Sequence, residues 1–162
     1  HFEYIYIYKN SIGIEIRSAE SLSVFKRTLS NLIRPPKKPI FGIYDPIGIK
    51  KIFQLRVGLS PLRKHKYDHK FLDTPSSACF CGYNTEDSVH FILKCPLYLE
   101  QRVHLLEKIN NALQSNEIEI ENMNDRDLLD ICLYGHSSLS NNDNKSIVEA
   151  TLSFISGTNR FA

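Results

Sequence analysis

Apolar residues along this chain recur mostly at helical spacing, in blocks separated by proline, glycine and acidic stretches. The exception is the start, where Phe2, Tyr4, Tyr6 and Tyr8 alternate with Ile5 and Ile7. That period of two, built from β-favouring residues, reads as a short strand. Leu22, Phe25, Leu29, Leu32 and Ile33 then fall on one helical face, with Ser18 or Ser21 as the cap and Pro35-Pro36 as the stop. Arg34–Pro39 is a basic, extended linker.

Asp45-Pro46 joins an N-cap to a proline at the first helical position, and it opens a helix to about Gly58 with Ile49, Ile52, Phe53 and Val57 inward. Ser60-Pro61 repeats the device for a third helix to about His69. That helix is polar nearly all round, so a neighbour or a ligand must stabilise it. A loop rich in Pro, Ser and Asn runs from Thr74 to Val89, and a short helix starts near Ser88 and breaks before Pro96. Leu97–Leu113 is a long amphipathic helix with Leu97, Val103, Leu106, Ile109 and Leu113 buried. After an acidic connection at Asn116–Asn124, two helices close the chain. They are Asp125–Tyr134, stopped by Gly135, and roughly Asn142–Ser156, stopped by Gly157.

The expected fold is therefore mainly α, a small domain of about six helices around one loop whose Cys79, Cys81, His90 and Cys95 offer the donors for a zinc ion to organise it. Any strand is confined to the N-terminal residues or that loop. Residues 1–15 form an irregular or strand-like lead, 16–70 a basic helical segment, 71–116 a zinc knuckle with its following helix, and 117–162 acidic C-terminal helices. Residues 16–162 are expected to make one domain. With 42% apolar residues in 162, the chain can bury a real core. It shows neither an apolar run of membrane-spanning length nor a signal peptide, which points to an intracellular protein, nuclear or cytoplasmic. Because it begins with His1, the chain is expected to be a fragment.

Charge changes the picture more than composition does. The net charge of +2 conceals ten basic against two acidic residues between Arg34 and Lys70, and six basic against thirteen acidic from Phe71 onward. Segregation of this size suggests one face for phosphate and another for solvent or protein. The competing reading of the basic stretch is a solvated helix face. Arg56, Arg63, Lys64, Lys66 and Lys70 are the candidate nucleic-acid contacts, with Arg63, Lys66 and Lys70 on one helical side. Tyr67, Phe71 and Phe80 offer stacking surfaces for unpaired bases, although core packing is the more ordinary use of any one of them.

Cys79, Cys81, His90 and Cys95 form a C-x-C-x8-H-x4-C array. Three thiolates and one imidazole suit a closed, structural, tetrahedral Zn2+ site with no open position for a catalytic water. Gly82 permits the reversal after Cys81, and His90 and Cys95 lie about one helical turn apart. The alternative is that these cysteines are small core residues and His90 a satisfied polar one. Cys132 and His136, with no further ligands nearby, are placed in the core or at a helix end. Asp125, Asp127 and Asp130 complement a helix dipole. No paired aspartates for two metal ions, phosphate-binding glycine loop or nucleophile elbow is present, so no catalytic site is expected.

Ser21–Lys26, Leu32–Pro35, Phe41-Gly-Ile, Phe53–Leu62, His65-Lys66, Asp73-Thr-Pro75, the Cys/His array, His90-Phe91, Cys95-Pro96 and Arg102 together resemble the C-terminal region of LINE-type (non-LTR) retrotransposon reverse transcriptases. The resemblance is most specific from Leu55 to Arg102. It implies a zinc-binding segment downstream of the polymerase that helps hold template RNA or target DNA during target-primed reverse transcription. It also implies Cys79, Cys81, His90 and Cys95 as the zinc ligands, and an upstream polymerase domain that this chain lacks, so that no polymerase activity carries over. A structural or protein-interaction zinc module, or an inert relic, is the alternative.

Overall fold

The computed structural model describes residues 43–118 and 123–162. The expected N-terminal strand, the helix ending at Ile33, the Arg34–Pro39 linker and the middle of the acidic connection lie outside the described residues. Within them the protein is helical, and no strand occurs among the described residues. The α-helices are α1 (Pro46–Val57), α2 (Arg63–Asp68), α3 (Leu99–Ser115), α4 (Asp125–Tyr134) and α5 (Asn141–Gly157). A π-turn, His90–Lys94, and a 3-10 turn, Pro96–Tyr98, precede α3.

Helix α5 is the central element, packed against α1, α3 and α4. Its buried Ile147, Val148, Ala150, Leu152, Phe154 and Ile155 spread round most of its circumference, as expected of a helix enclosed by others. The ring of Phe91, from the π-turn, meets Phe154, Tyr98 and Phe161 at centroid distances of 5.2, 5.3 and 5.8 Å. This aromatic cluster fastens the loop region to the helical core.

Local punctuation sets most helix ends. Asp45 Oδ1 accepts the Gly48 amide at 2.8 Å at the start of α1, and Gly58, in the left-handed region at φ 69°, ends it. At α4 the Asn124 side chain and Asp127 form a reciprocal capping box. Gly135 ends that helix at φ 74°, where an added Cβ would lie 2.5 Å from Asn144 Oδ1. Helix α5 runs slightly further than expected and includes Gly157 in its last turn.

Three expectations require correction. In α1 the buried face is Gly48, Ile52 and Leu55, while Phe53 is 41% exposed. Gly48 lies so close to α5 that a Cβ there would sit 2.8 Å from Leu152 Cδ2, so the contact stripe follows the residue with no side chain. In α3 the buried set is Arg102, Leu105, Ile109, Ala112 and Leu113, while Val103 and Leu106 face outward and Leu97 lies exposed in the preceding turn. Arg102 takes the inner face because carbonyls of the π-turn receive its guanidinium there. Finally, Ser60 does not cap α2. The helix starts at Arg63, and Ser60 Oγ instead accepts the Leu62 amide at 3.3 Å and pairs with His65 Nδ1 at 2.7 Å.

Candidate metal centre and basic face

The four expected ligands come together: the ligand atoms of Cys79, Cys81, His90 and Cys95 all lie within 4.8 Å of one another and can hold a metal ion. Cys79 Sγ and Cys95 Sγ are 3.7 Å apart, and Cys81 Sγ is 3.3 Å from His90 Nε2. The first distance is far beyond a disulfide bond of about 2.05 Å, and all four cysteines are free thiols. Cys79, His90 and Cys95 are buried and Cys81 is partly so.

Two backbone devices build this cluster. Gly82, at φ 92°, turns the chain so that its amide bonds Cys79 O at 3.0 Å, and the Cys79 amide bonds Tyr83 O at 2.8 Å. On the other side, the Cys95 amide bonds His90 O at 2.7 Å, an i to i+5 bond that widens the last turn. A wide turn of this kind is frequent at functional sites, and here it lets residues five apart face one point. Asp87 Oδ1 caps the turn by accepting the His90 amide at 2.8 Å. The Tyr83 ring stacks on the His90 imidazole at 4.5 Å and 3°, which fixes the plane of the ring.

The electrostatics suit a bound cation. Burial pushes the Cys79 thiol up to about 12 and raises Cys95, so neither ionises readily by itself. Yet the backbone amides of Cys81, Tyr83 and Leu97 are directed at the sulfurs of Cys79, Cys81 and Cys95 respectively, and each favours the thiolate. For Cys81, the most exposed of the three, that amide is the leading influence and the thiol is lowered. Burial depresses His90, which keeps its imidazole neutral and available as a ligand. A bound divalent cation would remove the penalty on the thiolates.

Arg102 and Glu86, whose parts in the site sequence reasoning missed, hold the surroundings. The buried Arg102 donates from Nε to Ile92 O and from Nη2 to Cys95 O, both at 2.7 Å, and so orients the Cys95 backbone from α3. Glu86, 1% exposed, accepts Arg160 Nε and Nη2 at 2.7 Å each and the Arg63 amide at 2.7 Å, while its carbonyl accepts the Lys64 amide at 3.1 Å. This is the neighbour that the polar helix α2 required. Arg102 stood within the family-like run, but no local signal marked Arg160, 74 residues from its partner.

The basic candidates divide. Lys64 pairs with Asp68 at 2.6 Å and Lys66 with Asp73, both near the surface. Lys66 Nζ also lies 5.6 Å from the Phe71 ring centroid. Arg63 lies 4.9 Å from the Phe80 ring centroid and forms no ion pair among the described residues. Lys70 falls beyond the end of α2 with a left-handed backbone, φ 58°, so it leaves the helical register of Arg63 and Lys66. Arg56 is elsewhere: its Nε and Nη2 both donate to Leu133 O and its guanidinium lies 4.7 Å from the Tyr134 ring centroid. Burial pulls Arg56 down to about 10, against the attraction of Tyr134.

Cys132 lies fully buried in the core, its thiol pushed up to about 12 by burial. No helix among the described residues is long and apolar enough to cross a membrane. No protein-family model matches the chain, and neither does any curated protein or solved structure.

Proposed function

We propose that this chain is a non-catalytic, nucleic-acid-binding module organised by one zinc ion, and that it is the C-terminal part of a non-LTR retrotransposon reverse-transcriptase polyprotein. The observation that carries the binding reading is the docking of the basic helix α2 through Glu86 onto the ligand loop, with Arg63 against Phe80, between the ligands Cys79 and Cys81. Lys64 and Lys66 are held by surface aspartates, and such pairs are worth little. They exchange readily for phosphates. Arg63 needs no such exchange, and Lys70 follows on the exposed segment. Arg56 is left out of the phosphate face because Leu133 and Tyr134 engage it.

Zinc is favoured by the donor set of three sulfurs and one nitrogen. With Zn–S bonds of about 2.3 Å a tetrahedral edge is roughly 3.8 Å, close to the 3.7 Å between Cys79 and Cys95. When bound, the ion supplies order to the loop and neutralises its thiolates. Four protein ligands fill the tetrahedron, so the role is structural. The family placement rests on the Leu55–Arg102 motif run. Its support here is that Arg102, at the end of that run, braces the turn carrying Cys95.

One observation favours a protein-contact module instead: Leu99, Val103 and Leu106 lie exposed along α3. A binding titration across salt concentrations separates the two readings. Replacing Arg63, Lys66 and Lys70 together by alanine should weaken nucleic-acid binding and reduce the salt slope by roughly one unit per lost phosphate contact, with little change in sequence preference. A triple variant that keeps its helicity, its metal and its full affinity at every salt concentration would refute nucleic-acid binding through this face. Native mass spectrometry should show one zinc ion per chain, and protein purified without chelator that carries none would defeat the zinc assignment.

A further inference from the structure

Phe80 lies between two of the four ligands, Cys79 and Cys81, yet it is 69% exposed. A single exposed phenylalanine is ordinary; this one is distinguished by its neighbours. The guanidinium carbon of Arg63 is 4.9 Å from its ring centroid and that of Arg160 is 5.6 Å away. These arginines come from α2 and from the segment after α5, and Glu86 brings them together. It accepts the backbone amide of Arg63 and both Nε and Nη2 of Arg160.

The two cations are not equivalent. Arg160 is committed to the Glu86 carboxylate and to Pro61 O at 2.8 Å. Among the described residues the Arg63 side chain has no carboxylate or carbonyl partner: its Nε is buried without a hydrogen bond, and its guanidinium lies over the Phe80 ring. Its charge is therefore not neutralised by an ion pair among the described residues. A ring covered on both faces would not leave most of its residue open to solvent, so Phe80 retains free aromatic surface beside that charge.

We infer that Arg63, Phe80 and Arg160 form a nucleotide subsite in which an unpaired base stacks on the open surface of Phe80 and its phosphate is taken by Arg63. Arg160, neutralised by Glu86, steadies the ring. This rests on the nucleic-acid reading above and sharpens it to single strands, because a base inside a duplex already has both faces covered. Every base has a π-face, so the subsite tolerates any sequence.

The chain contains no tryptophan, so Phe80→Trp provides a unique fluorescent reporter at the subsite. The zinc-loaded full chain is titrated with a short oligothymidylate and with a duplex of the same length. The wild type should prefer the single strand. Phe80→Ala and Phe80→Leu should each lose roughly tenfold or more on the single strand and almost nothing on the duplex. Phe80→Trp should keep its affinity, and its emission should be quenched at saturation. Unchanged single-strand affinity in Phe80→Ala, full affinity in Phe80→Leu, or unquenched emission in Phe80→Trp would each overturn the subsite while leaving salt-dependent phosphate binding intact. Should the wild type bind neither probe at low salt, the nucleic-acid reading itself falls, and the subsite with it. Circular dichroism and metal content confirm that each variant is folded and loaded.

Discussion

The ligand loop, residues 75–89, and helix α5 reach order by opposite means. The buried part of α5 is mostly aliphatic and aromatic, with Ile147, Val148, Leu152, Phe154 and Ile155 in contact with three other helices. In the loop up to Ser88 the buried residues are Cys79, Glu86 and Ser88, and the large side chains of Phe80 and Tyr83 are exposed. Burial of apolar surface holds the first region. The second is held by its ligand quartet, the Glu86–Arg160 pair and a few backbone bonds. One small protein thus contains a part stabilised by apolar burial next to a part whose ligand quartet could hold a metal ion, and if it does the two should come apart under different treatments.

The most severe test of that contrast is metal removal. Structural zinc contributes of order 10 kcal/mol to the folding of small zinc domains. Chelation, or Cys95→Ser, should therefore accelerate hydrogen exchange at the Cys79 and Glu86 amides by orders of magnitude while the amides of α5 change little. Equal loss of protection in both regions would show that the loop and core are one cooperative unit.

A smaller effect is expected at the join. Glu86→Gln leaves the Arg160 guanidinium without its carboxylate, a change that costs about 3 kcal/mol at a buried pair. Denaturant unfolding should register that loss, and the amides of Arg63 and Lys64 should exchange faster than in the wild type. If stability is unaltered, α2 is held to the loop by something other than Glu86.

The smallest effect concerns pH. Burial, partly offset by Asp68 and Asp87, pushes His65 down to about 4 from an ordinary value of 6.5. Between these values the unfolded chain takes up a proton that the folded protein refuses, so stability present above pH 6.5 is lost as pH falls toward 4, by at most about 3 kcal/mol. Metal-loaded His65→Gln should show a flatter stability profile across that window than the wild type. Identical slopes would mean that other groups set the acid sensitivity.

Much of the helical scaffold was readable because its signals are local. The cap at Asp45, the capping box at Asn124 and the glycine stops at Gly58 and Gly135 act within a turn of the residues that announce them. The ligand quartet was legible for a similar reason: its thiols and imidazole lie within seventeen residues, from Cys79 to Cys95. Which faces of α1 and α3 turn inward was legible only in part: Ile52, Ile109 and Leu113 are buried as expected, but the centre of each buried face was not. Apolar periodicity favoured Phe53 and Val103, whereas close approach at Gly48 and the carbonyls awaiting Arg102 chose otherwise.

By itself the sequence determined the helix ends and stops and the donor set for a metal, because those depend on backbone conformation and on residues near one another in the chain. Tertiary structure alone decided which groups among the described residues each positive charge meets. Arg56 and Arg63 are alike in sequence, but folding carries Arg56 to the end of α4 and sets Arg63 beside Phe80. The physical reason is distance along the chain. The groups that engage or brace these arginines, Leu133, Tyr134, Glu86 and Arg160, are brought to them by packing around α5, and no pattern of neighbouring residues encodes that encounter.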